Sequence, residues 1–303
     1  MANFLDINQV KKQDLNEIID LGIKLKTRKK EQGQIWLPLS GKHLAMIFEK
    51  PSTRTRTSFE VGINQLGGHA IIINTENSQL GRGETPEDTA KVLSRYVDII
   101  MIRCFKHSML LELAEHSTVP VINGLTDFSH PCQVMADIMT YIEHRGSIRG
   151  KKITWLGDGN NMVNSWIHAA IQFDFNLHIA TPKDLAPCSK TLSWANKLAN
   201  NVTLTDNPEL AASDADLITT DTWISMGNDN ADIRRKLLAN FQVNKNIMNL
   251  AKNDAIFMHC LPAHRGEEVT DEVIDGDQSV VFDEAENRLH IQKAIMIWCL
   301  KNT

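Results

Sequence analysis

The sequence predicts an α/β fold of two domains, each a parallel sheet flanked by helices, joined by interdomain helices. Three observations lead there. Short apolar runs alternate with longer amphipathic ones, the pattern of βα units. The chain has 303 residues, more than the ~100–200 typical of one domain. Midway, Arg145-Gly146-Ser147 and Gly150-Lys151-Lys152 interrupt the alternation as a polar junction. The expected domains are therefore 1–145 and 146–285, with 286–303 as a C-terminal helix packing back on the first.

Leu44–Phe48 reads as the first strand. The helix after Pro51 carries Phe59, Ile63 and Leu66 at helical spacing and stops at Gly67-Gly68. Ala70–Ile73 is the next strand. Thr85-Pro86-Glu87-Asp88 has the signals of a helix start: a capping hydroxyl, a first-turn proline, then acids. Ile99–Ile102 and Val119–Ile122 read as strands, and a helix runs from Pro131 to His144. The second half restarts with strand Ile153–Leu156 and the turn Gly157-Asp158-Gly159. Strands follow near Leu177–Ala180, Val202–Leu204, Leu217–Thr219, Ala255–Met258 and Val280–Phe282. From Glu284 a final helix places Ile291, Ala294, Ile295 and Trp298 on one face.

Composition narrows the function. A net charge of −5 lacks the basic footprint of a nucleic-acid binder, yet leaves room for a local anion pocket. Five cysteines with no CxxC spacing argue against a disulfide framework or a zinc site, and for a reducing compartment. The first twenty residues lack an apolar core, so no signal peptide is expected. No apolar run approaches the ~20 residues of a membrane span.

In parallel sheets ligands bind beyond the carboxyl ends of the strands. Here those places follow Phe48, Ile102, Ile122, Leu156, Thr219 and Met258, and the polar motifs sit at them. Ser52-Thr53-Arg54-Thr55-Arg56 opens a helix directly after a strand. Helix N-termini bind phosphate, and hydroxyls with a guanidinium add charge-assisted hydrogen bonds. Arg54 and Arg56 are two apart and face different ways, so at most one meets a ligand and the other can pair with a carboxylate. Arg103 ends an apolar strand. Asp127–Gln133 starts another helix, where His130 could donate to a carbonyl or phosphate oxygen. Gly157-Asp158-Gly159-Asn160-Asn161 half-matches a dinucleotide fingerprint but lacks its third glycine. Asp221–Gly227 leads from a strand into a glycine-containing loop. In His259-Cys260-Leu261-Pro262, adjacent side chains point to opposite sides, which disfavours a Cys–His pair. His259 and His264 have no obvious third metal ligand.

Taken in order, Ser52–Arg56, His130–Gln133, Asp221–Gly227 and His259–Pro262 resemble the aspartate/ornithine carbamoyltransferase family, on its ornithine side. The resemblance covers essentially the whole chain. It implies transfer of a carbamoyl group from carbamoyl phosphate to the side-chain amine of L-ornithine, giving L-citrulline and phosphate, in arginine metabolism. It implies that Ser52, Thr53, Arg54 and Thr55 hold the phosphate. Arg103, His130 and Gln133 would contact the carbonyl and carbamoyl nitrogen. Cys260 and the Leu261 carbonyl would complete that site, with Arg288 adding charge. Gln79 matches a position placed into a neighbouring subunit. Asn161, Asp221, Ser225 and Met226 match ornithine-binding positions. Arg103, His130, Asp221 and Cys260 are the expected catalytic group. The family implies trimers or multiples of them. A cytoplasmic enzyme with no metal and no cofactor is expected, contacting neither nucleic acid nor membrane.

The acidic Asp221 loop suits a cationic substrate. Rivals are carbamoyltransferases for aspartate, putrescine or acylornithine. From other classes come an NAD-dependent dehydrogenase, which would explain Gly157–Gly159, and a non-catalytic phosphate binder, which would explain only Ser52–Arg56.

Overall fold

The computed structural model describes residues 2–30, 36–224 and 230–303, the side chains of 28–30 excepted. The chain divides into two compact units, Met1–Met139 with Glu286–Thr303, and Thr140–Ala285. In chain terms, the helices Pro131–Arg145 and Val281–Lys301 run across the divisions. No helix among the described residues is long and apolar enough to cross a membrane.

The first unit holds a four-stranded sheet: β1 (His43–Phe48), β2 (His69–Asn74), β3 (Ile99–Arg103) and β4 (Val121–Leu125), in the order β2-β1-β3-β4 and all parallel. Leu44–Phe48 and all of β3 are buried, which is why both read as near-continuous apolar runs. β2 lies at the edge and alternates instead, leaving Ile71 exposed. Ala45, Ile47, Ile100, Ile102, Leu110 and Leu113 pack one side of the sheet. Thr85 caps helix Pro86–Leu93 by accepting from Asp88 N at 3.0 Å, as its sequence signals predict.

The second unit holds five parallel strands: β5 (Lys152–Leu156), β6 (Asn176–Ala180), β7 (Val202–Thr205), β8 (Leu217–Thr220) and β9 (Ile256–His259). Their order is β7-β6-β5-β8-β9. Leu156, Ile218, Phe257, Val243 and Ile274 form one apolar cluster of its core.

Two readings change. Val280–Phe282 is not a strand. Ser279 makes a single bridge to Phe257, and the last helix already begins at Val281. The β-branched pair Val280-Val281 favours a strand locally, but tertiary packing decides. The strand expected at Val119–Ile122 lies later, at Val121–Leu125. Pro120 cannot donate to a ladder, although its carbonyl accepts from Ile100 N at 2.9 Å.

Candidate active site

In the first unit, polar side chains gather at the carboxyl ends of β1, β3 and β4. Ser52 caps helix Thr53–Gln65, its hydroxyl accepting from Thr55 N at 3.3 Å. First-turn amides of a helix lack intrahelical partners and carry partial positive charge, so this start suits a phosphate. Thr53 and Arg54 are exposed there, while Thr55 is buried. The Thr55 hydroxyl accepts from Arg103 Nη1 at 3.3 Å and Arg288 Nη2 at 3.0 Å, across 48 and 233 residues of sequence. Arg288 also reaches Gln133, whose Nε2 donates to Asp137 Oδ1 at 2.8 Å. Ser52, Thr55, Arg103, Gln133 and Arg288 thus form one network. Arg56 stays outside it and faces Glu60 at 3.7 Å.

His130 immediately precedes helix Pro131–Arg145, and its carbonyl accepts from Gln133 N at 3.2 Å. Its side chain is buried. Burial pushes its pKa well below the ordinary histidine value, and the charges of Arg288, Arg103, Lys50 and Arg54 push it further. The ring is therefore neutral and can present an N–H to an oxygen without carrying charge. Four cations whose fields meet on one buried imidazole describe a place suited to an anion.

Lys50 carries no sequence signal beyond standing before Pro51 and the Ser52 turn. It is buried, with Nζ 4.7 Å from the Phe105 ring centroid. Burial and then Arg103 lower its pKa. Gln79 is exposed in the segment after β2, and its carbonyl accepts from Arg82 N and Glu84 N at 2.8 and 3.0 Å. Among the described residues no hydrogen bond joins it to the Thr55 network.

In the second unit, Asp221 joins the ends of β5, β8 and β9. Its Oδ2 accepts from Asn160 Nδ2 at 2.8 Å, and its Oδ1 from Cys260 Sγ at 3.0 Å and Thr222 N at 2.7 Å. Asn160, which the sequence places in the glycine turn but not among the ornithine-binding positions, also caps helix Asn161–Phe173 by accepting from Met162 N at 2.9 Å. Asn161 is half-buried at the start of that helix. Leu261 takes a positive φ of 55°, and its amide donates to His259 Nδ1 at 2.9 Å. The other nitrogen, Nε2, lies 3.1 Å from Glu268 Oε1, and both residues are fully buried. Burial pushes the Glu268 carboxyl up, but its bonds from His259 and the His264 amide outweigh this and hold it below the usual range. With both ring nitrogens so partnered, His259 is not a base for Cys260. Ser225 and Met226 lie outside the described residues.

The ligand atoms of Asp221, His259 and Cys260 lie within 4.8 Å of one another, as do those of His264, Glu267 and Glu268. In the first group each residue already has a protein hydrogen-bond partner. The glycine turn is likewise filled by protein. Gly157 N donates to Ala180 O at 3.0 Å and Gly159 N to Leu185 O at 2.8 Å, so neither amide is offered to a pyrophosphate. A Cβ at Gly159 would stand 2.3 Å from Leu185 O, which explains that glycine without any cofactor.

Two family models match the chain. The carbamoyl-P binding domain of aspartate/ornithine carbamoyltransferase matches residues 2–143, and the Asp/Orn binding domain matches residues 149–299. An ornithine carbamoyltransferase of Nitrobacter winogradskyi is 59% identical over 298 residues, covering 98% of this chain and 97% of that protein. One of Brucella ovis is 57% identical over 302 residues, covering 100% and 96%. The structure of ornithine carbamoyltransferase from Pyrococcus furiosus superposes with a TM-score of 0.95 at 48% identity, covering 100% of this chain and 98% of that one. With both halves matched and full-length relatives this similar, the chain belongs to the aspartate/ornithine carbamoyltransferase family.

Proposed function

We propose that this protein transfers the carbamoyl group of carbamoyl phosphate to the side-chain amine of L-ornithine, releasing L-citrulline and phosphate. The observation that carries the reading is the convergence of Arg103 and Arg288 on the Thr55 hydroxyl at a helix N-terminus. Residues 1–145 would bind carbamoyl phosphate, with 286–303 contributing Arg288, and residues 146–285 would bind ornithine.

The chemistry follows from these groups. The phosphate rests on Ser52, Thr53, Arg54 and Thr55. The deprotonated amine attacks the carbonyl carbon, and negative charge moves onto the carbonyl oxygen. Arg103, neutral His130 and Thr55 stabilise that charge; losing one such donor typically costs ~3–4 kcal/mol. The C–O bond to phosphate then breaks, the Arg54 turn takes the departing phosphate, and the proton shed by the amine balances the added charge, so the products are the neutral urea and hydrogen phosphate dianion. Gln133 orients the carbamoyl nitrogen, with Cys260 and the Leu261 carbonyl. Asp221, Asn161, Ser225 and Met226 hold ornithine, whose charge Asp221 matches. Neither metal nor organic cofactor takes part.

The reading extends to a cytoplasmic enzyme of arginine metabolism, trimeric or a multiple of trimers, with Gln79 entering a neighbour's site. Heterologous rings allow such sharing. Refolding an Arg54 variant together with a Gln79-loop variant tests it, since about a quarter of sites in a random ring would be intact. A mixture no more active than its parents would refute the sharing. For the reaction itself the test is citrulline formation from the two substrates.

A further inference from the structure

His130 enters the candidate site from an irregular turn, and a group of side chains outside the Thr55 network holds that turn. His107 opens helix His107–His116. Its Nδ1 lies 2.9 Å from Thr126 Oγ1, its Nε2 3.4 Å from Asp6 Oδ2, and its ring centroid 4.9 Å from that of Phe128. Its amide donates to Asp127 Oδ1 at 2.9 Å, while Asp127 N donates to Phe105 O at 2.8 Å. The helix start and the turn are thereby zipped together.

The Thr126 hydroxyl accepts from Ser129 N at 3.2 Å and Phe128 N at 3.3 Å. The hydroxyl thus stands between these two amides and His107 Nδ1, and His107 Nε2 faces Asp6. Asp6 and Thr126 are both buried. The segment before Asp6 is fixed in turn. Phe4 N donates to Val121 O and Asn123 N to Phe4 O, each at 2.9 Å. Asn123 Nδ2 donates to Leu5 O at 2.9 Å and Ser129 Oγ at 3.0 Å.

We propose that His107, braced by Asp6, is a positioning residue for His130. Its Nδ1 fixes the Thr126 hydroxyl, the hydroxyl fixes the Phe128 and Ser129 amides, and these set the angle at which His130 meets the carbonyl oxygen. The inference rests on the reading of His130 given under the proposed function. Oriented donors lose much of their effect on small displacements, which is why a turn carrying one needs side-chain bracing.

Asparagine at 107 can keep a hydrogen-bonding atom near the place of Nδ1, and leucine cannot. His107→Leu should lower kcat at least ~10-fold while the inhibition constant of inorganic phosphate stays within ~3-fold. His107→Asn should recover most of the lost kcat. Wild-type kcat in His107→Leu, or no recovery in His107→Asn, overturns the proposal. If leucine prevents folding, Thr126→Val against Thr126→Ser reads the same contact: the serine variant should be active and the valine variant impaired, and equal activity overturns it. His130→Ala is run alongside. Near-normal activity there removes the reading of His130 itself, whereas an inactive His130→Ala with a normal His107→Leu removes only the positioning role.

Discussion

Arg288 Nη1 donates to Gln133 Oε1 across 2.6 Å, joining residues 155 positions apart. The other guanidinium nitrogen reaches Thr55, so one planar fork ties the last helix to the starts of two others. Lysine cannot reproduce a fork. Arg288→Lys should therefore lower kcat/KM for carbamoyl phosphate by ~10–10²-fold despite the retained charge. Steady-state kinetics with varied carbamoyl phosphate check this, and wild-type values would show that charge alone suffices.

Arg54 is exposed at the first turn of its helix, and its charge lowers the His130 pKa. In the proposed site Arg54→Ala would remove a charged hydrogen bond to the phosphate, so kcat/KM for carbamoyl phosphate should fall at least ~10²-fold. Near-normal activity would remove the anion site from this turn.

Legibility in the sequence tracked locality. Ser52–Thr55 could be read because strand, cap and helix start are adjacent in the chain. Arg288 could not be read that way: its partners Thr55 and Gln133 are 233 and 155 residues away, and its own helix carries no motif. Only the family resemblance pointed to it. Lys50, between Glu49 and Pro51, belongs to no motif, and its burial beside Phe105 is a tertiary fact. Asn160 and Asn161 are neighbours of one type. Which of them touches Asp221 depends on the cap geometry, and the turn selects Asn160. Both parallel sheets were visible as apolar runs, whereas Val280-Val281 misled because strand propensity yields to packing.

The buried His130 has a pH signature. Its folded pKa lies below its unfolded value, through burial first and then the surrounding cations. Above ~6.5 both states are neutral and the group costs nothing; as pH falls below that, the unfolded chain binds a proton the folded one refuses. Stability should then drop by up to ~1.4 kcal/mol per pH unit from this residue, down to the folded pKa. Urea unfolding of wild type and His130→Asn between pH 7.5 and 5 checks it. The wild-type slope should exceed the variant's, and equal slopes would contradict a neutral buried ring.

Asp221 accepts from Asn160, Thr222 N and Cys260. Asp221→Asn removes the charge and turns an amide N–H toward one of these donors. Turnover of ornithine should fall at least ~10²-fold, with the phosphate inhibition constant nearly unchanged. Parallel loss of phosphate binding would mean that Asp221 supports the fold more than the substrate. Cys260→Ser keeps a donor to Asp221 and should lose less than ~10-fold.

The central claim is that this protein carbamoylates the side-chain amine of ornithine. The most direct measurement supplies the purified protein with carbamoyl phosphate and either L-ornithine or L-aspartate, and quantifies citrulline, carbamoylaspartate and phosphate. Citrulline and phosphate should form in equal amounts with ornithine, and no carbamoylaspartate should form with aspartate. Carbamoylation of aspartate, or phosphate release without citrulline, would contradict the claim.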